Sequence, residues 1–411
     1  MKYKERLLGR KLRRLAGRFP IVVVSGARQV GKSTLLGHEF PGHDVVVFDP
    51  TVDVGNARSD PDLFLQNHPP PIILDEIQYA PELVAALKRQ IDRRGEPGQY
   101  LLTGSQQWSV LKAVSESLAG RAMFLDLEGL CLAEVTQSVT EDHWLRRYLE
   151  DPEKFVATPA VRLPTTHTLF EQLWRGSLPA VDSLEEEWVT DYYSAYMRTY
   201  IERDVRLVSE ISDWQLFGRF VQLAAALTAQ EINHSQLGRE IGVTPQTAQR
   251  WLTTLRATFQ WFELPAYHGN TLKKISARRK GYFGDTGLAS SLHMISAPKA
   301  LAGHPLSGAF FETAAIAEIR KLSRSLSTPP AMYHWRSHSG PEVDLLLERD
   351  GRLYPIEFKL ASQPARRDTT GINALREAYS GSDIAPALVI APTDRLARLS
   401  ESAYSFPWDA Q

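Results

Sequence analysis

Three groups of residues in this sequence have the types and spacing to do chemistry. The first is Gly26, Ala27, Arg28, Gln29, Val30, Gly31, Lys32, Ser33 and Thr34, which fits GxxxxGK[ST]. In such a loop the glycines let backbone N–H groups wrap a phosphate, and the start of the following helix favours negative charge. Lys32 is placed to meet the β- and γ-phosphates of ATP, and Ser33 to put its hydroxyl on Mg²⁺. The second group is Asp75-Glu76, directly after the apolar run Ile72-Ile73-Leu74. A strand-end Asp75 is the expected Walker B partner for the magnesium ion, and Glu76 suggests a base that polarises water. That combination implies hydrolysis rather than transfer to a bound acceptor; an aspartate that only caps a turn is the structural alternative.

The third group lies near the other end. Asp350-Gly351 is a two-residue hairpin signal. Register counted from it pairs Glu348 with Leu353, Asp344 with Glu357, and Glu342 with Lys359. Strand side chains alternate with period two, so Glu342, Asp344, Glu357 and Lys359 share one face. Carboxylates with a lysine on one sheet face make a poor core and a good metal site, with oxygen ligands for Mg²⁺ and a lysine to orient water. The alternative is a charged face whose groups pair across the strands. The pattern resembles the PD-(D/E)xK nuclease motif, with Asp344, Glu357 and Lys359 in its three positions. Glu312, in the helix-like stretch 309–320, is a candidate additional acid.

These residues need elements to hold them. From Phe19 to about Leu130, short apolar strands alternate with helical stretches, which implies parallel βαβ units. The runs IVVV, VVVF and IIL fit strands buried on both faces. The basic N-terminal stretch reads as a first helix with Leu7, Leu8, Leu12 and Leu15 turned inward. Residues 140–165 read as a surface connection, and 167–230 as an all-helical segment. Residues 235–252 carry a helix-turn-helix pattern: Gly242 makes the turn, Thr244 caps and Pro245 opens the second helix. Its outward Gln246, Gln249 and Arg250 are groups that read base edges or grip phosphate. A following strand pair carries Lys273, Lys274, Arg278, Arg279 and Lys280, the layout of a winged helix with a basic wing. Winged helices also serve as packing modules, and basic runs as solvated faces.

Taken together, GARQVGKST, ILDEIQ, LTGSQ and SLAGR resemble the bacterial and archaeal AAA-family ATPases whose C-terminal half is a domain of unknown function. LWRGSLPA (173–180), TYIERDVR (199–206), KGYFGDTGLA (280–289), FFE (310–312) and the EVD and IEFK segments extend the likeness over nearly the whole chain. The resemblance implies an ATP-binding, oligomeric protein, with a ring as the expected form and a hexamer as one option. It implies that Thr103 or Ser105 senses the γ-phosphate and that Arg121 reaches a neighbour's nucleotide as an arginine finger. The plainer role for Arg121 is a helix-end cation. A nucleotide-sensing lid arginine falls at Arg203 or Arg206.

Composition narrows the class. Over 411 residues, 43% hydrophobic and 23% charged, the chain has material for several domains and is not disordered. A formal net charge of −1 means that any nucleic-acid contact is a local patch. The lone Cys131 excludes a disulfide framework and fits a reducing cytoplasm. No apolar run approaches the roughly 18 residues of a membrane span, so no membrane partner is expected. The organisation expected is α/β: a P-loop AAA+ core (1–135), helical lid (136–230), winged helix-turn-helix (231–295) and restriction-endonuclease-like domain (296–411). The leading function is a DNA-binding ATPase that remodels or translocates DNA. An ATP-gated nuclease and a DNA-free interaction switch are the alternatives.

Overall fold

The computed structural model describes residues 3–106, 118, 120–206, 211–269, 278–337 and 340–411. Its first layer is a five-stranded parallel sheet of β1 (Ile21–Ser25), β2 (Asp44–Val47), β3 (Ile72–Asp75), β4 (Tyr100–Gly104) and β5 (Ala122–Asp126), in the order β2-β3-β4-β1-β5. Alternate residues of the central strands enter two separate cores. Val22, Val24, Ile73 and Leu101 face one side, and Ile21, Val23, Leu74 and Leu102 the other. Insertion of β4 between β1 and β3 brings the tips of all three strands together, and the chemistry gathers there.

The edge strands correct one expectation. β2 is not buried on both faces: Val45 and Val47 are 54% and 56% exposed, and Phe124 on β5 is 40% exposed. Apolar composition alone does not distinguish an edge from a centre. The N-terminal helix Gly9–Ala16 does bury Leu12, with Leu7 and Leu8 just before it. Residues 140–165 are not a surface connection. Helices Trp144–Glu150 and Pro152–Ala157 bury Trp144, Leu145, Tyr148 and Leu149, and Tyr148 donates to the Pro386 carbonyl at 2.8 Å.

An aromatic helical layer follows. Helices Leu169–Arg175, Glu186–Thr199 and Trp214–Ala226 bury Trp174, Tyr193, Phe217 and Phe220, with an irregular turn at Tyr200–Val205. Helix Pro245–Ala257 packs against Phe217 and Phe220 through Trp251, and helix His234–Ile241 precedes it. Asn233 caps the first of them and Thr244 the second, while Gly242 takes the left-handed turn at φ 77° that favours glycine. A small sheet of β6 (Gln230–Glu231), β8 (Lys280–Phe283) and β7 (Trp261–Leu264) completes this region.

The C-terminal region is a six-stranded mixed sheet beside the helix Ser307–Ser325. Its strands are β9 (Ala331–Arg336), β10 (Glu342–Arg349), β11 (Arg352–Phe358), β12 (Ala387–Ala391), β13 (Ala397–Arg398) and β14 (Ala403–Pro407). The β10–β11 hairpin pairs Glu348 with Leu353 and turns at Asp350 and Gly351, both at positive φ, as the turn chemistry demands. Among the described residues, no helix is long and apolar enough to cross a membrane.

Candidate functional site

The loop between β1 and helix Lys32–Glu39 is built by close backbone approach. A Cβ on Gly26 would come within 2.1 Å of the Leu127 carbonyl oxygen, and Gly31 sits at φ 94°. Arg6, buried in the N-terminal segment, supports the loop by donating to the Val30 carbonyl at 2.7 Å, and it pairs with Glu134 at 3.0 Å. The loop folds over Lys32, whose Nζ donates to the Gly26 and Ala27 carbonyls at 2.9 Å each. Burial pulls the Lys32 ammonium below its usual range, opposed by Glu76, Asp204 and Asp75.

Ser33, in the first turn of the helix, donates to both Asp75 oxygens at 2.9 and 2.7 Å. Thr103 also donates to Asp75 and accepts the Glu76 N–H at 2.9 Å. Its hydroxyl thus joins the two acidic residues. Ser105 faces the other way: it accepts from Gln78 at 3.1 Å and donates to Asp204 at 3.3 Å, while Gln78 also donates to Glu76. Arg28 makes a two-pronged pair with Asp204, both contacts at 2.9 Å. Gln29 accepts from Tyr192, and Val30 is buried.

Among the described residues Lys32 bonds to main-chain carbonyls alone, and Ser33 lies against a strand-end carboxylate. That donor set suits a nucleotide phosphate with its magnesium ion: an ammonium for the phosphate, a hydroxyl and a carboxylate for the metal. Arg121 lies before the edge strand β5 and contacts Asp92 of its own chain at 2.6 Å. Ser117 and Ala119 of the SLAGR segment lie outside the described residues. Asp204 lies within the TYIERDVR segment, but the sequence assigns it no role; its neighbours Arg203 and Arg206 are the candidates instead. The Arg206 guanidinium stacks over Trp214 at 5.3 Å, and the Arg203 side chain lies outside the described residues.

The C-terminal cluster assembles with one unexpected member. Glu357 and Asp344 are buried, and Lys359 lies 3.2 Å from Glu357 and 4.0 Å from Asp344. Glu342 instead stays at the rim, 48% exposed and 4.0 Å from Arg336. Glu312 accepts from Tyr282 at 2.9 Å. Into this group comes Lys280 from β8, its Nζ 2.6 Å from Glu312 and 3.5 Å from Asp344. The sequence pattern puts Lys280 on the basic wing, facing DNA; in the fold it is buried and bridges two carboxylates. Burial works against its charge, yet Glu312 and Asp344 hold it above the usual lysine value.

Burial, with Asp344 beside it, raises Glu312 to about 7 and lifts Glu357 well above the carboxylate range. Burial also opposes ionisation of Asp344, but Lys280, a hydrogen bond from Glu357, Lys359 and the Phe358 N–H together keep it below its ordinary value. Two ammonium groups therefore balance the ionised carboxylates, with Lys280 between Glu312 and Asp344 and Lys359 beside Glu357.

The outward residues of the helix pair are where the pattern predicts. Gln246, Gln249 and Arg250 are exposed along the helix Pro245–Ala257. Arg278 and Arg279 are also exposed, Arg279 lying 3.3 Å from Glu263 and Arg278 4.0 Å from Glu231. Lys273 and Lys274 lie outside the described residues.

Comparison with known proteins finds a domain match over the region of the first site. Residues 18–136 match the family model of an AAA domain, while 166–299 and 307–410 match two domains of unknown function, DUF8612 and DUF4143. Uncharacterized protein Rv2008c of Mycobacterium tuberculosis is 27% identical over 400 residues, covering 97% of this chain and 82% of its own. Mb2031c of Mycobacterium bovis gives the same figures. Among solved structures, a Walker-type ATPase of Pyrococcus abyssi is 14% identical with a TM-score of 0.44, over 69% of this chain and 94% of that one. The Thermotoga maritima RuvB Holliday junction branch migration motor is 14% identical with a TM-score of 0.30, over 64% and 90%. The chain carries an AAA-type domain built on a parallel sheet.

Proposed function

We propose that this chain binds ATP with Mg²⁺ and hydrolyses it, and that it acts as a homo-oligomer on DNA in the cytoplasm. The observation that carries the reading is the convergence of Lys32, Ser33, Asp75 and Glu76 at the tips of β1 and β3, with Ser33 2.7 Å from Asp75. Lys32 binds the β- and γ-phosphates, with the loop 26–34 wrapped around them. Ser33 and Asp75 hold the magnesium ion, which when bound neutralises charge on the phosphate oxygens. Glu76 orients the attacking water and takes up its proton; Thr103 and Gln78 fix that carboxylate by bonding its main chain and side chain. Arg121, near the sheet edge, is the residue to act on a neighbouring subunit's nucleotide.

The DNA part of the reading rests on the helix pair and strand that present Gln246, Gln249, Arg250, Arg278 and Arg279 outward as a winged helix. The local pairing of the arginines with Glu231 and Glu263 implies modest, salt-sensitive binding. The C-terminal sheet is read as a restriction-endonuclease-like fold, with Glu312, Asp344, Glu357 and Lys359 at its centre. Cutting is not part of the reading, because Lys280 already pairs with two of these carboxylates, Glu312 and Asp344. Wild-type protein with Mg²⁺ or Mn²⁺ is expected to leave plasmid DNA intact; nicking that Asp344→Ala abolishes would reverse this.

The test is ATP turnover of wild type, Lys32→Ala and Glu76→Gln, titrated with single-stranded, duplex and branched DNA. Turnover lost in both variants and stimulated by one DNA form supports the whole reading. Turnover indifferent to every DNA removes the DNA role and keeps the ATPase, and no turnover with any of them removes both.

A further inference from the structure

Asp204 is a buried acid that belongs to the helical layer and yet meets the phosphate loop. Its carboxylate takes both prongs of Arg28, a residue inside the loop between Ala27 and Gln29, at 2.9 Å each. The same Oδ1 accepts from Ser105, just beyond the tip of β4, the strand that separates the loop from Asp75. A guanidinium fork holds a carboxylate and a phosphate in the same geometry. The helical layer thus places one negative charge, gripped by an arginine and bonded by a serine, beside the Walker residues.

We propose that Asp204 stands in, when no nucleotide is bound, for the terminal phosphate of a nucleoside triphosphate, and so sets the discrimination between ATP and ADP. The inference rests on the reading of loop 26–34 as an ATP site. A triphosphate brings its last phosphate to Arg28 and Lys32, where it meets a carboxylate of like charge in a shielded site and must displace it. A diphosphate ends short of that point and leaves Asp204 paired.

Displacement does not stop at one side chain. Tyr200, in the same irregular turn, shares a 2.7 Å hydrogen bond with Thr258, which caps the end of helix Pro245–Ala257. Tyr196, one turn earlier, accepts from Gln260 at 3.1 Å. Both tyrosines are buried, so movement of Asp204 is transmitted to the second helix of the helix-turn-helix pair rather than lost to solvent.

The experiment measures dissociation constants of the full chain for Mg·ADP and for the magnesium complex of a non-hydrolysable ATP analogue, so that turnover plays no part. Asp204→Asn keeps the shape and removes the charge. It is expected to tighten the triphosphate analogue by about tenfold while ADP affinity changes by less than about threefold. Equal change for both nucleotides, no change, or weakening of the triphosphate overturns the proposal.

Hydrogen exchange on wild type provides a second test that needs no folded variant. The triphosphate analogue is expected to speed exchange across 200–206 and ADP to leave it unchanged; protection of that turn by the analogue overturns the proposal. If wild type binds neither nucleotide, or Lys32→Ala binds both as wild type does, the P-loop reading itself falls. Discrimination that survives in Asp204→Asn leaves the P-loop reading standing and removes Asp204 from it.

Discussion

Among the described residues, two buried lysines, Lys32 and Lys280, lie near carboxylates, and they have opposite situations. Lys32 bonds, among the described residues, to the carbonyls of Gly26 and Ala27, which carry no formal charge. Lys280 lies against Glu312 and Asp344, so its charge is already matched inside the fold. Residue types alone would rate both clusters as sites for a metal and an anion. The partners show that the first is arranged to receive charge from outside and the second to hold three strands and a helix together. A buried charge paired within the fold adds cohesion; one held by dipoles is poised for a ligand.

Substitutions at the two lysines should separate these roles. Lys32→Ala is expected to lower ATP turnover on the order of 100-fold or more with little change in melting temperature, checked by steady-state kinetics and calorimetry. A similar loss of stability would mean that Lys32 is structural too. Lys280→Met should do the reverse, costing about 3 kcal/mol because two carboxylates lose their shared cation, while nucleotide affinity stays within about twofold of wild type. Urea unfolding and nucleotide titration of the same preparation provide the two readouts.

The acidic partner adds a pH signature. Glu312 has an ordinary value of 4.5 and is raised to about 7 in the fold, facing Lys280, Tyr282 and Asp344. Its contribution is therefore full below about 4.5 and is lost as pH rises through about 7. Wild type is expected to lose on the order of 2 kcal/mol from this group between those limits. Glu312→Gln should flatten that part of the pH profile of urea midpoints; an unchanged slope would assign it elsewhere. The smallest effect is expected on the exposed arginines. Replacing Arg278 and Arg279 with glutamine should weaken duplex binding by a few-fold. The slope of affinity against log salt should fall by about 1 for each DNA phosphate the protein no longer neutralises.

Much of this arrangement is legible in the sequence where geometry is local. The hairpin register follows from Asp350-Gly351, because a two-residue turn fixes the pairs beside it, from Arg349 with Arg352 to Leu345 with Ile356. The approach of Ser33 to Asp75 follows from a strand-loop-helix unit in a parallel sheet, whose strand tips all point to one edge even with β4 between β1 and β3. Lys280 is easily misread as a wing residue because it ends a basic run and looks like Arg278 and Arg279. The available signal is the residue type that follows it: Gly281, Tyr282 and Phe283 are all buried, so the lysine heads an interior strand. Asp204 and Arg6 carry no such local mark. Each meets the loop only through folding of distant segments, and edge strands such as β2 hide their exposure behind an apolar composition.

The support that Arg6 gives the loop has a practical corollary for fragment boundaries. The AAA match begins at residue 18, yet the Val30 carbonyl and the Glu134 carboxylate both take their cation from residue 6. Lys4 in turn is tied to Asp182, well beyond the end of that match. An excised piece cut at the boundaries of the match would leave a buried carboxylate without its counter-charge and a phosphate loop without its brace. Such a fragment should fold poorly even though it contains every Walker residue, and a fusion tag is best joined before Lys4, so that this tether stays intact.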